Sequence, residues 1–340
     1  MKKLLNTLYV TDPTAYLSLD GENFVCKKSD GTFRLPFANI ESVFCFSYAG
    51  CSPALMGKCA DENVALSFFT PGGRFLARVT GAVKGNVFLR KQQLDVFGDE
   101  ARRLPLIRNT VAAKLTNTRS VLRRTLRDYP DIPSAAALAA CSEALAAAVP
   151  RVYETAEEAA LRGIEGSAAK AYFDVFDGMI LQQKDDFTVY GRTKRPPLDR
   201  VNAMLSFLYA MYTLDFAAAL EAVGLDPYIG FFHTLRPGRA SLACDLVEEA
   251  RAVVDRLVLT MINLRSIRPD DFTVQATGAV LLNDGGRKKV LARWQERKRE
   301  EFRHPVLRQK IPWGLLPFVQ ANLLAKFVRG EINEYPPFLL

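Results

Sequence analysis

Residues 106–127 read LIRNTVAAKLTNTRSVLRRTLR, and here the chain changes from one kind of pattern to another. Apolar residues recur at the spacing of one helix face: Val111, Leu115, Leu122 and Leu126. Arginines four residues apart share a second face: Arg119, Arg123 and Arg127. The stretch therefore predicts an amphipathic helix with one apolar side and one basic side.

The residues before this helix predict a β-rich domain. Short apolar or alternating runs recur there, such as AYLSLD, NFVCKK and VALSFF. Turn signals separate such runs: Asp-Gly at 20–21, Asp-Gly at 30–31 and Pro-Gly-Gly at 71–73. We expect one short helix at 52–60, because Ser52 can cap it and Pro53 suits the first helical position.

The residues after this helix predict a helical domain. Helical patterns cover, in chain order, 134–149, 154–182, 201–224, 244–263, 286–303 and 313–329. We therefore predict an α+β chain with a small N-terminal β-rich domain at 1–96, a linker at 97–105 and a larger all-α C-terminal domain at 106–340.

The composition is that of a globular protein with excess positive charge. Of the 340 residues 49% are hydrophobic and 24% are charged, and the net charge is +8. This excess favours a polyanionic partner such as nucleic acid. We expect no membrane span, because no stretch of about 20 apolar residues stands out. Six cysteines without metal-binding spacing, and no leader, predict a reduced, cytoplasmic protein.

Carboxylates surround His233, one of only two histidines, in two separate segments. Glu165 lies in GIEGSAAKAYF, whereas Asp245, Glu248 and Glu249 follow the histidine in GFFHTLRPGRASLACDLVEEAR. Asp245 and Glu248 stand three residues apart, so they are neighbours on one helix face. That face lies away from the apolar stripe of the same helix, which is formed by Leu246, Ala250, Val253 and Leu257. Carboxylates with one imidazole suit a divalent metal. In a basic chain, the substrate of such a metal is a phosphodiester.

Each of these residues also has an ordinary interpretation. Carboxylates on helices are usually solvated, and His233 could simply form a hydrogen bond within its loop. Glu249 is expected at the helix surface beside a basic residue, and His304 is expected at the surface among cations. Glycines at 163 and 166 flank Glu165. Because glycine in a helix costs about 1 kcal/mol relative to alanine, they indicate the close approach of another helix or of a substrate.

Clustered cations supply candidate DNA contacts. Contact with phosphates requires several uncompensated positive side chains in one place. The basic helix face, the GRTKRPP loop and the RPGR segment carry such groups: Arg119, Arg123, Arg127, Arg192, Lys194, Arg195, Arg236 and Arg239. The same arginines on the helix could equally form a solvated face.

Three segments together resemble one known family: GIEGSAAKAYF, RTKRPPLDRVNAMLSFLYAMY and GFFHTLRPGRASLACDLVEEARAVVDR. The chain resembles the CRISPR-associated endonuclease and spacer integrase, which is the larger subunit of the Cas adaptation complex. The order of a β domain before a helical domain agrees with this resemblance along the whole chain. The segments are most similar to the subtype I-C branch.

The resemblance implies a catalytic centre for Mn²⁺ or Mg²⁺. Glu165, His233 and Glu248 match the family's metal ligands, and Asp245 matches a supporting acid one helical turn earlier. Glu248 is favoured over Asp245 as the direct ligand. The implied reaction inserts short foreign DNA fragments into a CRISPR array during antiviral defence, by attack of a 3′-hydroxyl on a phosphodiester.

The resemblance also implies partners for the chain. These are spacer and repeat DNA, a second copy bound through the β domain, and a small companion Cas protein with a ferredoxin-like fold; no membrane is implied. Two alternatives stay open at this point. The chain could be a metal-dependent nuclease of branched or single-stranded DNA that does not integrate, or a non-catalytic DNA-binding scaffold whose acids are surface charges.

Overall fold

The computed structural model describes residues 7–70, 73–81 and 87–340, and it divides into two compact units. Within the described residues, the first unit comprises 7–70, 73–81, 282–301 and 312–315, and the second comprises 87–281, 302–311 and 316–340. Positions 71 and 72 of the predicted Pro-Gly-Gly turn lie outside the described residues.

Two sheets and one helix form most of the first unit. The strands are β1 (Thr7–Val10), β2 (Tyr16–Asp20), β3 (Asn23–Lys28), β4 (Gly31–Pro36), β5 (Ser42–Cys45), β6 (Ala65–Phe69) and β7 (Phe75–Val79). Strands β2, β3 and β4 pair antiparallel, and both connecting turns contain a glycine at positive φ, as the Asp-Gly signals predict. In the other sheet β1, β5 and β6 run parallel, and β7 is antiparallel to β6.

A short helix, α1 (Pro53–Asp61), covers this core, and the prediction for 52–60 is confirmed. Ser52 Oγ accepts a hydrogen bond from the backbone N–H of Leu55 at 3.2 Å, which satisfies one free donor of the first turn. Leu55 is fully buried in one cluster with Leu17, Phe24 and other residues of both sheets.

Helices make up most of the remaining chain. They are α2 (Val87–Gly98), α3 (Glu100–Asp128), α4 (Ala135–Glu154), α5 (Glu158–Val175), α6 (Arg200–Ala222), α7 (Ser241–Asn263), α8 (Asp284–Arg299) and α9 (Leu316–Val328). Short strands interrupt them: β8 (Phe272–Val274), β9 (Val280–Leu282), β10 (Glu301–Arg303) and β11 (Lys310–Pro312). The α+β order is confirmed, whereas the all-α prediction for 106–340 is confirmed only in part.

The residues predicted as a linker, 97–105, are almost entirely helical. Helix α2 ends at Gly98, and Asp99 caps α3 by accepting a hydrogen bond from the backbone N–H of Ala101 at 2.9 Å. Pro105 lies within α3, near the start of that helix. Helix α8, predicted in the C-terminal domain, belongs to the first unit.

Helices α3, α6 and α7 form the core of the second unit. Helix α7 packs against both α3 and α6. Its predicted apolar stripe is buried: Leu246, Ala250, Val253 and Leu257. Three acids of α7 are buried too: Asp245, Glu248 and Glu249. Because an unpaired buried carboxylate is costly, each of these acids needs partners.

Two helices, α4 and α6, are long and apolar enough to cross a membrane by length and composition, contrary to the sequence expectation. Core helices of soluble proteins pass the same test, so two such helices are weak evidence. In α6, 67% of the apolar window is buried within the protein, which accounts for its composition. Helix α4 packs against α3 and α5, and its exposed positions are mainly alanine.

Candidate metal centre

A cavity of about 390 Å³ in the second unit brings together residues that are distant in sequence. Glu165 reaches it from α5, and Glu248 reaches it from α7. His233 lines it from the loop between α6 and α7. The structure therefore places the three predicted metal ligands around one cavity. The spacing of these residues in the sequence does not predict that α5 and α7 both border it.

Asp245 fixes the position of His233. His233 Nδ1 lies 2.6 Å from Asp245 Oδ1, and the backbone N–H of His233 donates to the same oxygen at 2.8 Å. The backbone N–H groups of Phe231 and Phe232 donate to Oδ2 at 2.7 and 3.1 Å. A carboxylate at Nδ1 leaves Nε2 as the imidazole nitrogen that faces the cavity. Asp245 is fully buried and is therefore a positioning residue for this loop.

Gly230 allows the loop to approach Asp245. A Cβ atom at this position would lie 2.6 Å from Asp245 Oδ2 and 2.8 Å from the backbone carbonyl carbon of Ser241. Both distances are shorter than van der Waals contact, so only glycine brings the three backbone donors onto the carboxylate.

We expect Gly230→Ala to lower the free energy of unfolding by about 1–3 kcal/mol, because the added methyl group overpacks this site. Urea unfolding measures the change. Gly163→Ala is the matched control, since a Cβ there meets nothing within 4 Å, and it should be neutral or stabilising by up to about 1 kcal/mol. Equal unfolding curves for Gly230→Ala and the wild type would contradict the steric argument.

Glu248 is held ionised by neighbouring cations. Its Oε1 lies 2.7 Å from the guanidinium of Arg251 and 3.9 Å from His233 Nε2, and its Oε2 lies 2.7 Å from Lys114 Nζ. Burial opposes ionisation, but Arg251 and Lys114 outweigh it and lower the pKa of Glu248 to about 2. Glu248 is therefore a carboxylate at every physiological pH.

Lys114 lies between the two carboxylates of the site. Its Nζ contacts Glu165 Oε1 as well as Glu248 Oε2, and its side chain is only 12% exposed. Sequence reasoning missed this residue. The signal was a cation directly beside Leu115, at the edge of the apolar stripe of α3, where a charged side chain needs a partner.

The donor atoms fit a divalent metal in kind. One imidazole nitrogen and carboxylate oxygens suit Mn²⁺ or Mg²⁺, and Glu248 Oε2 is buried with the ammonium of Lys114 at 2.7 Å. Within 7–70, 73–81 and 87–340, no three His, Cys, Asp or Glu side chains are grouped closely enough to hold a metal as they stand. The ammonium of Lys114 lies between Glu165 and Glu248 and contacts one oxygen of each.

Two buried tyrosines line the cavity and form hydrogen bonds with Asp255. Asp255 accepts hydrogen bonds from the hydroxyl of Tyr209 and, at 3.1 Å, from that of Tyr172. Burial raises the pKa of Asp255 to about 6, even though both hydroxyls favour its ionised form. The guanidinium of Arg251 lies 4.7 Å from the centre of the Tyr209 ring. These contacts join α5, α6 and α7 and fix the cation that faces Glu248.

Two sequence predictions next to the site are wrong. Glu249 is buried rather than exposed. Its Oε2 accepts hydrogen bonds from Gln320 Nε2 at 3.0 Å, from the Tyr335 hydroxyl at 3.1 Å and from the backbone N–H of Phe338 at 2.8 Å. Burial raises the pKa of Glu249 to about 7. His304 is also fully buried, with Nε2 at 3.2 Å from Gln320 Oε1. Both side chains form hydrogen bonds with residues that are distant in sequence. Local sequence patterns do not predict such contacts.

The flanking glycines of Glu165 do not serve helix packing. A Cβ at position 163 or 166 would meet nothing within 4 Å among the described parts of the chain. The expected approach of another helix is therefore not seen at these two glycines.

The predicted DNA contacts differ in how accessible they are. Arg119 joins α3 to α4 through Ser142 and Glu143, and Arg127 pairs with Asp128. Arg192 is hydrogen-bonded to two side chains of α6, and Arg239 to the backbone of its own loop. The exposed members of the set are Arg123, Arg127, Lys194, Arg195 and Arg236. Of these, Lys194 lines the cavity, so it is the best placed to meet a phosphate beside the acids.

Fold and site together define a β-rich unit and a helical unit with a candidate metal centre bordered by cations. The sequence matches the family described as CRISPR associated protein Cas1 over residues 8–296. The chain belongs to this family.

Relatives cover the whole chain. It is 47% identical over 347 residues to "CRISPR-associated endonuclease Cas1 2" of Rhodospirillum rubrum, which spans 99% of both proteins. It is 44% identical over 342 residues to "CRISPR-associated endonuclease Cas1 1" of Chlorobaculum tepidum, covering 100% of this chain and 99% of that protein. Among solved structures, a casposase bound to integration product has a TM-score of 0.85 at 19% identity, covering 98% of this chain and 93% of the other. At that identity the likeness shows the fold alone.

Proposed function

We propose that this chain is a metal-dependent DNA endonuclease and integrase that inserts short DNA fragments into a CRISPR array. The observation that carries the proposal is the meeting of Glu165, His233 and Glu248, from three separate elements, around one cavity that cations border. Membership of the Cas1 family supports it, as do relatives that are named endonucleases.

Glu165, His233 and Glu248 would hold the Mn²⁺ or Mg²⁺ ion. When bound, the ion supplies Lewis-acid polarisation of a phosphodiester. Asp245 keeps Nε2 of His233 turned toward the cavity through its contact with Nδ1. Arg251 keeps Glu248 ionised, and Lys194 offers a positive charge to the DNA backbone.

The reaction that we propose is a transfer of one phosphodiester linkage. The 3′-oxygen of the fragment bonds to the target phosphorus while the bond from that phosphorus to its own 3′-oxygen breaks. The attacking hydroxyl loses its proton and the leaving oxygen gains one. The number of phosphodiester bonds is unchanged, so the step needs no nucleotide cofactor. Attack by water at the same phosphorus would be hydrolysis, so one site can support both nicking and joining.

Family membership supports the proposed partners. We propose that a second copy binds through the β-rich unit, that a small companion Cas protein with a ferredoxin-like fold completes the assembly, and that the chain belongs to the subtype I-C branch. All six cysteines are free thiols, which suits the reducing cytoplasm that we propose as its location.

A strand-transfer assay tests the function. The purified chain is incubated with a short duplex carrying 3′-hydroxyl ends and a supercoiled plasmid that contains the CRISPR repeat, with Mn²⁺, Mg²⁺ or EDTA, and with or without the companion protein. We expect fragment joined to plasmid with either metal and none in EDTA. A duplex with 3′-deoxy ends should not join. Nicking without joining would favour the nuclease alternative, and DNA binding without either product would favour the scaffold.

Tyr190 is a second residue, besides Lys194, that we expect to contact DNA. Its side chain is 98% exposed, and it directly precedes Gly191 and Arg192, which line the cavity. An exposed aromatic ring beside cations is a stacking platform for an unpaired base. Tyr190→Ala should weaken the binding of a duplex with single-stranded 3′ ends about tenfold, measured by fluorescence anisotropy. Tyr129→Ala is the control, since Tyr129 is also exposed but neither of its neighbours in sequence lines the cavity; an equal loss in both variants would contradict stacking by Tyr190.

A further inference from the structure

Lys114 occupies the position between the two carboxylates of the candidate metal centre. It projects from α3, where its Nζ contacts Glu165 Oε1 and lies 2.7 Å from Glu248 Oε2. Its side chain is mostly buried, so water screens these interactions little. One ammonium group thus compensates the charge of both carboxylates and links α5 to α7.

A metal ion placed between Glu165 and Glu248 would take the position of the Lys114 ammonium, which contacts one oxygen of each carboxylate. Two cations at contact distance from one oxygen repel each other strongly where water is scarce. Arg251 is placed differently, because it binds the other oxygen of Glu248 and packs over the ring of Tyr209. Arg251 therefore contacts Glu248 from its other side, whereas Lys114 lies between the two carboxylates that the metal would share.

We propose that Lys114 is an internal competitor of the metal. It holds Glu165 and Glu248 in place in the metal-free protein, and it must leave for Mn²⁺ or Mg²⁺ to bind. Lysine suits this role, because its charge is a compact point on a flexible four-carbon stem that can turn into the cavity without moving α3. The consequence is a metal affinity below the one that the donor set alone would give.

The competitor role rests on the proposed metal centre. It adds that Lys114 lowers the affinity of that centre for the metal ion. Lys114 is a positioning residue in the metal-free state, and its charge sets how readily the ion binds. A purely structural lysine would give the opposite result on removal, since the loss of an ion pair would loosen both carboxylates and weaken metal binding.

Calorimetric titration of the full chain with MnCl₂, without DNA, tests the competitor role. Lys114→Met keeps the length of the side chain and removes its charge. We expect its Mn²⁺ dissociation constant to be about tenfold lower than that of the wild type. In EDTA the variant should unfold at a lower temperature than the wild type, because Glu248 loses one counter-ion, and Mn²⁺ should raise its melting temperature more. Lys114→Arg keeps a cation in place, so it should not bind Mn²⁺ more tightly than the wild type.

Lys170→Met is the matched control. Lys170 lines the same cavity but pairs with Asp174 at 2.6 Å, so this variant removes an equal charge without freeing Glu165 or Glu248. Unchanged or weaker Mn²⁺ binding by folded Lys114→Met overturns the competitor role, and so does an equal gain in Lys170→Met. Glu165→Gln separates the two proposals: if it abolishes Mn²⁺ binding, the metal centre stands whatever Lys114→Met shows. If neither the wild type nor Lys114→Met binds Mn²⁺, both proposals fail.

Discussion

Glu248→Gln will lower the rates of joining and nicking by at least about a thousandfold, because the amide keeps the size of the side chain but supplies no anionic oxygen to a divalent ion. The expected loss is this large because Glu248 is the most buried of the three proposed ligands and is ionised at every physiological pH. The plasmid strand-transfer assay measures joining, and conversion of supercoiled to open-circular plasmid measures nicking. DNA affinity should change little, since the cations at the cavity are kept.

Glu249→Gln is the control for this prediction. It makes an identical chemical change one residue further along α7, where the side chain contacts Gln320, Tyr335 and Phe338 instead of the cavity. A glutamine oxygen can accept the same hydrogen bonds, so activity should remain near that of the wild type. If Glu248→Gln is folded by circular dichroism and still joins DNA at more than a few per cent of the wild-type rate, Glu248 is not a metal ligand.

The fold could be predicted from the sequence wherever local patterns carry the information. The Asp-Gly turns, the Ser52 cap and the apolar stripe of α7 are all as expected, because hydrogen bonds and side-chain periods within a few residues determine them. The helical structure of 97–105 was not predicted from these local patterns. Asp99 caps α3 there, and α3 packs against α4 and α7, which supports the helix although Pro105 lacks a backbone N–H.

The candidate site was predictable only in part. The residue types and the resemblance indicated Glu165, His233 and Glu248, and the structure brings them to one cavity. The partners of these residues could not be read from spacing, because Lys114 meets the acids through tertiary packing. Glu249 shows the same limit. Consecutive helix residues point about 100° apart, so Glu249 faces away from Glu248. Only the packing of distant segments against that face buries Glu249.

Asp245→Ala will lower the free energy of unfolding by about 3–5 kcal/mol, because three backbone N–H groups and the His233 ring lose a buried acceptor at once. The donors come from consecutive residues, so their loss should release the loop that carries His233, and Mn²⁺ binding should weaken together with stability. Asp245→Asn keeps one acceptor oxygen and should lose less than Asp245→Ala. Urea unfolding measures the stability change, and calorimetric titration with MnCl₂ measures the binding change.

Asp174→Ala provides the comparison for an exposed acid. Asp174 pairs only across one helical turn with Lys170, and both side chains are at least half exposed, so its removal should change stability by no more than about 0.5 kcal/mol. A similarly small effect of Asp245→Ala would mean that the loop is held by contacts other than this carboxylate. Full loss of stability with unchanged Mn²⁺ affinity would instead separate the folding of the loop from the placement of His233. We expect stability and Mn²⁺ affinity to fall together, because one carboxylate binds both the loop backbone and Nδ1 of the His233 ring. That result would show that Asp245 links the folding of the loop to the placement of the imidazole.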